Sequence, residues 1–467
     1  MKHLFGPGRF YLSALALIIP VMLQSFLTGM VSLIDNFMVA ALGDGMMAGV
    51  NVANQINFVY IVIVNTICMA GGIYLSQHKG AQDRKGMQQA FRFKIILATA
   101  ISVIHLCLSL FFAERLIGLL LGGNRAQAEI IREGARYLRV VAPGFIPIGI
   151  STAIGSSFRD TGVTKVSLAI SVSAAFVNTF LNWVLIYGNL GAPRLEVTGA
   201  ALATVIARFV EAVAFMAAVR RNKPPFAVPP SGILQVDRNL FREILAKSSM
   251  MLFSETAWVM SETIITALYN SRGGKETVAG MAAGWTIANL FFLVFPAIQA
   301  GTGVILGSTL GAGNLDEGRV KALWIRSGSF ILGMAAMCLA ALSTLLIPLV
   351  FANLSREARL VTRGIVFVIA VYLPVWCLLN SQFAVSRSGG DTVMGLVVDV
   401  GISYLVFLPA AIMIAHFTAW GPVALYGIAK ISDFPKVVLA EWWISKERWV
   451  RNLAMKPGSA GQAHADS

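Results

Sequence analysis

Charge is scarce in this sequence. Lys, Arg, Asp and Glu make up only 13% of its 467 residues, 57% are hydrophobic, and the mean hydropathy is +0.72. That balance excludes an ordinary soluble domain and indicates a polytopic membrane protein. Cysteine is scarce too: Cys68, Cys107, Cys338 and Cys377 all fall in apolar runs, with no CxxC or Cys/His spacing, which excludes a disulfide framework or a zinc cluster built on them. The five histidines, His3, His78, His105, His416 and His464, form no His-x-x-x-His pair, so an intramembrane metalloenzyme lacks its ligands. No GxxxxGK[ST] phosphate loop occurs, so no ATP site is expected. Acidic residues are the rarer charged type, and the net charge is +14. Basic residues in a membrane chain serve topology first, so nucleic acid is not an expected partner.

What is present is a series of apolar runs. Taking about 20 residues per crossing, the sequence predicts twelve spans, near 10–40, 47–76, 93–113, 136–157, 165–188, 197–219, 244–269, 277–308, 322–351, 362–386, 393–416 and 420–444. Lys2 and Arg9 precede a first run longer than a signal-peptide core, so that run is read as a retained span. Assigning alternate loops to alternate sides gathers Lys2, Arg9, Lys79, Arg84, Lys85, Arg92, Lys94, the Arg220–Lys247 cluster and the Lys446–Lys456 tail on one side. Both termini are therefore expected in the cytoplasm. The 115–139 loop runs against this pattern with five arginines, partly offset by Glu114, Glu129 and Glu133.

One acid stands out in the first run. Asp35 lies seven residues after Thr28 and eleven after Gln24, so helical spacing places all three on one face. A carboxylate inside a membrane costs about 2.5–3.5 kcal/mol on insertion scales, and such residues normally face a cavity or a partner. An acid meeting headgroups at the helix end is the alternative.

The composition changes once, at Arg220–Asn239, where Pro224-Pro225 and Pro229-Pro230 mark a connector. The expected organisation is a first lobe over 1–219, a basic Pro-rich linker over 220–243, a second lobe over 244–444 and a tail over 445–467. The lobes share short strings. Phe158-Arg159-Asp160-Thr161-Gly162-Val163-Thr164 matches Ser386-Arg387-Ser388-Gly389-Gly390-Asp391-Thr392 at Arg, Gly and Thr, and Gly80-Ala81-Gln82-Asp83 matches Gly313-Asn314-Leu315-Asp316 at Gly and Asp. Six spans per half return the chain to its starting side, which makes the repeats parallel. Two such bundles suit transport by rocking about a site held between them.

Several strings together resemble the multidrug and toxic compound extrusion (MATE) transporters. They are Pro20, Gln24, Leu33-Ile34-Asp35, Leu42-Gly43, Gly71-Gly72, Ser76-Gln77-His78-Lys79-Gly80, Phe158 to Gly162, Asn178 to Gly188, Gly199 to Thr204, Glu255, Gly311-Ala312-Gly313-Asn314 and Arg387 to Thr392. The resemblance covers nearly the whole chain. It implies an all-α integral membrane fold, with twelve transmembrane helices in two parallel six-helix repeats around a central cavity. It also implies a secondary antiporter of the bacterial inner membrane, not an enzyme. Such a protein would export small, mainly cationic organic compounds in exchange for Na+ or H+, with no other cofactor, and would act as a monomer in the lipid bilayer. A flippase or exporter for a lipid-linked sugar or a specific metabolite is the alternative; a diphosphate cargo would want a cationic cavity, whereas the polar candidates here are acids.

Candidate site residues divide between the lobes. Asn178 and Asn182 share a helical face and can point amides at Asp35. The resemblance makes Asp35, Asn178, Asn182 and Thr204 a candidate Na+ site, and it marks Glu255 as a cation-coupling acid. Asn182 stands where many family members have an acid, and an amide can coordinate sodium through its carbonyl but cannot hold the proton. The asparagines equally fit helix-to-helix hydrogen bonding, worth about 0.6 kcal/mol. Gln24, Thr28, Glu262, Tyr372, Trp376 and Asn380 are candidate substrate-cavity residues, Glu262 being a second cavity acid or the partner of Arg208 or Lys430. Trp376 can pack or hold a cation on its ring face. Lys430 and Asp433, three apart, are expected to pair along their own helix.

Overall fold

The computed structural model describes residues 4–40, 44–121, 128–352 and 354–455. Lys2, the Leu42-Gly43 pair and the tail beyond Met455 lie outside them. The described residues are mainly helical, with no strand among them. The helices are α1 Gly8–Ala40, α2 Asp44–Gly80, α3 Arg84–Phe111, α4 Ala113–Leu120, α5 Ala128–Val141, α6 Phe145–Asp160, α7 Thr164–Tyr187 and α8 Glu196–Asn222. There follow α9 Arg238–Asn270, α10 Lys275–Phe292, α11 Val294–Gly311, α12 Leu315–Ser343, α13 Ile347–Val350, α14 Arg356–Ser388, α15 Leu408–Phe417, α16 Pro422–Ala429 and α17 Asp433–Ser445. A π-helical stretch, Gly395–Gly401 and Ser403–Phe407, leads into α15.

Each of the twelve runs expected from the sequence coincides with a helical passage, and four passages are interrupted, one of them by a turn at 344–346 between α12 and α13. α5 and α6 are joined through a short 3-10 turn at Ala142–Gly144, where Pro143 removes a backbone donor. α10 meets α11 at Leu293, and α16 meets α17 through a turn at Lys430–Ser432. Among the described residues, ten passages are long and apolar enough to cross a membrane. The other two, α9 and α16–α17, carry Lys247, Glu255 and Glu262, and Lys430, Asp433, Lys436 and Glu441. Their charge, rather than their length, sets them apart.

The described residues form two compact units. The first holds Leu23–Leu75 and Asp83–Ser248; the second holds the residues up to Met22, Ser76–Gln82 and those from Ser249 onward. The contacts thus group two pieces that precede the Pro-rich connector with the second unit. In the first unit the connector is packed rather than loose. Phe226 is fully buried against Phe91 and Phe158, and Arg92 Nε donates to the Gly232 carbonyl at 2.8 Å. Beneath it, the fully buried Lys94 Nζ donates to Asp160 Oδ2 at 2.7 Å.

The internal repeat is visible as matched helix ends. After α6, Gly162 has φ +80, with Gly162 N donating to Arg159 O and Val163 N to Phe158 O. After α14, Gly390 has φ +77, with Gly390 N donating to Arg387 O and Asp391 N to Ser386 O. Both are the same left-handed C-terminal cap, a conformation that favours glycine. The other pair of strings is correctly matched two residues earlier than the sequence reading placed it. Asp83 caps α3 and Asn314 caps α12, and the left-handed residues before them are Gln82 and Gly313. Gly80-Ala81-Gln82-Asp83 therefore corresponds to Gly311-Ala312-Gly313-Asn314, because capping follows backbone conformation and not the identity of one Asp.

In the second unit, the end of α2 crosses α11 at backbone distance. A Cβ on Gly80 would lie 2.0 Å from Ser308 O, and one on Gly311 would lie 1.9 Å from Gln77 O. The buried Gln77 side chain donates to Ser388 O at 2.7 Å and to Arg451 O at 3.2 Å, and accepts from Leu453 N at 2.6 Å. Residues 449–455, expected to belong to a simple polar tail, are strapped across this crossing, with Trp449 buried and Asn452 Nδ2 donating to Gly311 O at 3.0 Å. Substituting Gly311 by Ala is expected to force the two backbones apart and lower the melting temperature in detergent. Gly303→Ala, on the same helix with open space around it, should leave it unchanged; equal melting of both variants would contradict the close crossing.

Candidate functional site

Three helices of the first unit bring the polar cluster together. α1 carries Asp35, α7 carries Asn178 and Asn182 one turn apart, and α8 carries Thr204. Asn182 Nδ2 donates to Asp35 Oδ1 at 2.6 Å, and Asn178 Nδ2 donates to Thr204 Oγ1 at 3.4 Å. Thr204 in turn donates to the Ala200 carbonyl at 3.0 Å. Asn182 is 1% exposed, and its Oδ1 is buried without a hydrogen-bond partner among the described residues. An unpaired buried acceptor costs about 1–3 kcal/mol, so it is normally kept for a ligand or a change of state. The neighbouring donors are a carboxylate, two amides and a hydroxyl. All offer hard oxygens, which suit an alkali ion or a proton better than a transition metal. Among the described residues no group of three or more His, Cys, Asp or Glu gathers as a metal site.

Gln24 lies in a second chain of polar contacts in the same unit. Its Nε2 donates to Ser171 Oγ at 2.9 Å, and its Oε1 accepts from Ser167 Oγ at 3.4 Å. Ser171 donates to Glu211 Oε1 at 2.9 Å, and Glu211 is paired with Arg208 at 2.8 Å. Thr28 is exposed. The sequence reading missed Glu211; its signal was the Arg208/Glu211 spacing of three on an otherwise apolar helix, which a search for paired charges would have found.

In the second unit the candidate residues hold one another. Glu255 Oε1 accepts from Arg387 Nη2 at 3.0 Å, linking α9 to the repeated Arg-Gly-Thr string. Glu262 pairs with Lys430, so of the two cations the sequence offered, Arg208 stays with Glu211 and Lys430 takes Glu262. The pairing expected between Lys430 and Asp433 gives way to other contacts, most of them across helices. Asp433 accepts from Trp376 Nε1 at 2.8 Å and pairs with Lys436 at 3.4 Å, while Lys436 also donates to Asp399 at 2.7 Å and Ser403 at 2.9 Å. An ammonium finds better geometry with a carboxylate facing it from another helix than with one along its own axis. Tyr372 donates to Gly427 O at 2.7 Å and stacks on Trp376, and Asn380 Oδ1 accepts from Gln299 Nε2 at 2.9 Å. His105 sits against Tyr60 and Asn57 as a packed residue.

Removing one partner of the Glu255–Arg387 pair is expected to cost more than removing both. In a double-mutant cycle of Arg387→Met and Glu255→Gln, read by thermal unfolding in detergent, the coupling should fall within about 0.5–3 kcal/mol; strict additivity would show that the pair contributes nothing.

Comparison with known proteins gives the family of the chain. The MatE family model matches residues 20–184 and 251–413, one segment in each half. The probable multidrug resistance protein NorM of Halalkalibacterium halodurans is 23% identical over 444 residues, covering 93% of this chain and 93% of its own length. The crystal structure of MATE in complex with MaL6 superposes with a TM-score of 0.83 at 18% identity, covering 94% of this chain and 96% of that one. The outward-facing conformation of a multidrug resistance MATE family transporter gives a TM-score of 0.80 at 18% identity, covering 94% and 95%. With both halves matched by the family model and the whole length matched by these relatives, the chain belongs to the MatE family, the multidrug and toxic compound extrusion transporters.

Proposed function

We propose that this transporter exports organic cations and related small amphipathic compounds across the bacterial inner membrane, in exchange for Na+ or H+ bound at Asp35. Family membership and the NorM relatives support multidrug efflux. The observation that carries the coupling role is the pair formed by Asp35 and Asn182 through the amide nitrogen, with the oxygen of that amide buried and unpaired among the described residues.

Either coupling ion has a use for that oxygen. With sodium, Asp35 supplies the charge, and the carbonyls of Asn182 and Asn178 with the Thr204 hydroxyl supply neutral oxygens. With a proton, the neutral Asp35 carboxyl becomes a donor, and rotation of the Asn182 amide presents its carbonyl as the acceptor. Each route exchanges one hydrogen-bond pattern for another, so the bound and released states of α1 against α7 differ in discrete contacts. We place coupling on Asp35 rather than on Glu255 because Arg387 already neutralises Glu255. The excess of Lys and Arg on one set of loops supports cytoplasmic termini, and the membrane potential, about 2.3 kcal/mol per charge per 100 mV, favours a cycle that carries net positive charge inward. Each chain is taken to be a complete unit of transport.

The test is efflux of ethidium in inverted membrane vesicles under separate proton and sodium gradients. Asp35→Asn is expected to abolish gradient-driven efflux at matched expression while leaving the melting temperature close to that of the parent chain. Asn182→Leu, which removes the amide oxygen, should weaken coupling at least tenfold, about 1.4 kcal/mol. Full efflux by Asp35→Asn would refute the assignment, and a response to one gradient alone identifies the ion.

A further inference from the structure

Lys430 occupies an unusual place in the second unit. It lies at the junction of α16 and α17 and is 7% exposed, on a helix run that also buries Asp433 and Lys436. A buried ammonium needs both a counter-charge and substitutes for its lost water. Lys430 has both from four different elements. Glu262 of α9 is its carboxylate partner. Its Nζ lies 4.7 Å from the ring centroid of Phe407, 5.5 Å from that of Tyr426 and 5.9 Å from that of Trp376, all within cation-π range. The three rings are themselves buried, Phe407 at 2%, Tyr426 at 1% and Trp376 at 9% exposure. The other acids around it are engaged elsewhere, Asp433 by Trp376 and Lys436 and Asp399 by Lys436, which leaves Glu262 to Lys430.

An acid beneath converging aromatic faces is the chemistry by which proteins recognise free organic ammonium ions. We propose that the second unit contains an ammonium-binding cage formed by Glu262, Phe407, Tyr426 and Trp376, in which the chain's own Lys430 is the resident ligand, and that the cage accepts a free primary alkylammonium once that side chain is removed. In the intact chain Lys430 acts as an internal competitor, holding the cage closed to cations from solution. This site is separate from the Asp35 cluster, and its test does not depend on transport.

Replacing Lys430 by Ala removes Cγ, Cδ, Cε and Nζ, a fragment of the size and charge of propylammonium. The experiment is thermal unfolding of the full chain in detergent, titrated with propylammonium chloride against equal concentrations of sodium chloride. Lys430→Ala is expected to melt well below the parent chain, because Glu262 is left charged and unpaired. Propylammonium should restore several degrees in a saturable manner where sodium chloride does not. Neither the parent chain, whose cage is filled, nor Glu262→Gln/Lys430→Ala, whose cage has lost its acid, should show an ammonium-specific shift. Identical responses of Lys430→Ala to the two salts would overturn the proposal, as would the same ammonium response in the double variant. If the single variant cannot be purified, the double variant is expected to be recovered in higher yield because no charge is left unpaired; equal loss of both would also overturn it.

Discussion

Pairing a buried charge with a group on another helix is the interaction on which the rest of this structure depends. In an apolar interior a lone carboxylate or ammonium is so costly that it dictates which helices must be neighbours. Asp35 ties α1 to α7 through Asn182, and Lys94 ties α3 to the end of α6 through Asp160. Glu255 ties α9 to α14, and Glu262 ties α9 to the α16–α17 junction. Lys436 joins α17 to the π-helical stretch through Asp399. The widened turns of that stretch give Asp399 and Ser403 a common approach to one ammonium. The helices least suited to lipid by composition are those that supply most of these pairs.

Close backbone approach is the complementary constraint. Where no charge specifies the neighbour, glycine lets one helix rest on another, as at Gly80 and Gly311, and the dispersion contacts of the main chain replace those of side chains. Here Gln77 makes two hydrogen bonds to the C-terminal strap and a third to the Ser388 carbonyl, so a segment of only a few residues is held by main-chain polar groups that would otherwise be unpaired. The repeated caps at Gly162 and Gly390 stop two long helices in the same way, and the basic residues just before them, Arg159 and Arg387, face polar partners in their respective units.

The two units use their charges differently. In the first, the Asp35 cluster contains one carboxylate, amides and a hydroxyl, with an acceptor left over. In the second, the acids of α9 are answered by Arg387 and Lys430 from the chain itself. A site with an unfilled acceptor can respond to an ion from solution. A site already filled by a tethered cation resists that response until the tether moves.

Periodicity and hydropathy are local properties of the chain, so the sequence alone determined the all-helical membrane class and the twelve helical passages. Several of the strings that carry the family resemblance, such as Phe158 to Gly162, Gly311 to Asn314 and Arg387 to Thr392, are helix ends or caps whose residues are set by nearby backbone conformation. The register of Gly80 to Asp83 against Gly311 to Asn314 was not legible in the sequence, because two plausible matches differed only in φ at Gln82 and Gly313. The docking of Phe226 and Trp449 was hidden because proline-rich and polar segments look alike whether packed or free. Only the tertiary structure decided which cation answers which acid: Glu262 had Arg208 and Lys430 as equal candidates by composition, and Lys430 had Asp433 at ideal spacing on its own helix. That choice rests on which helices pack together and from which side each charge is approached, quantities that separation along the chain does not contain.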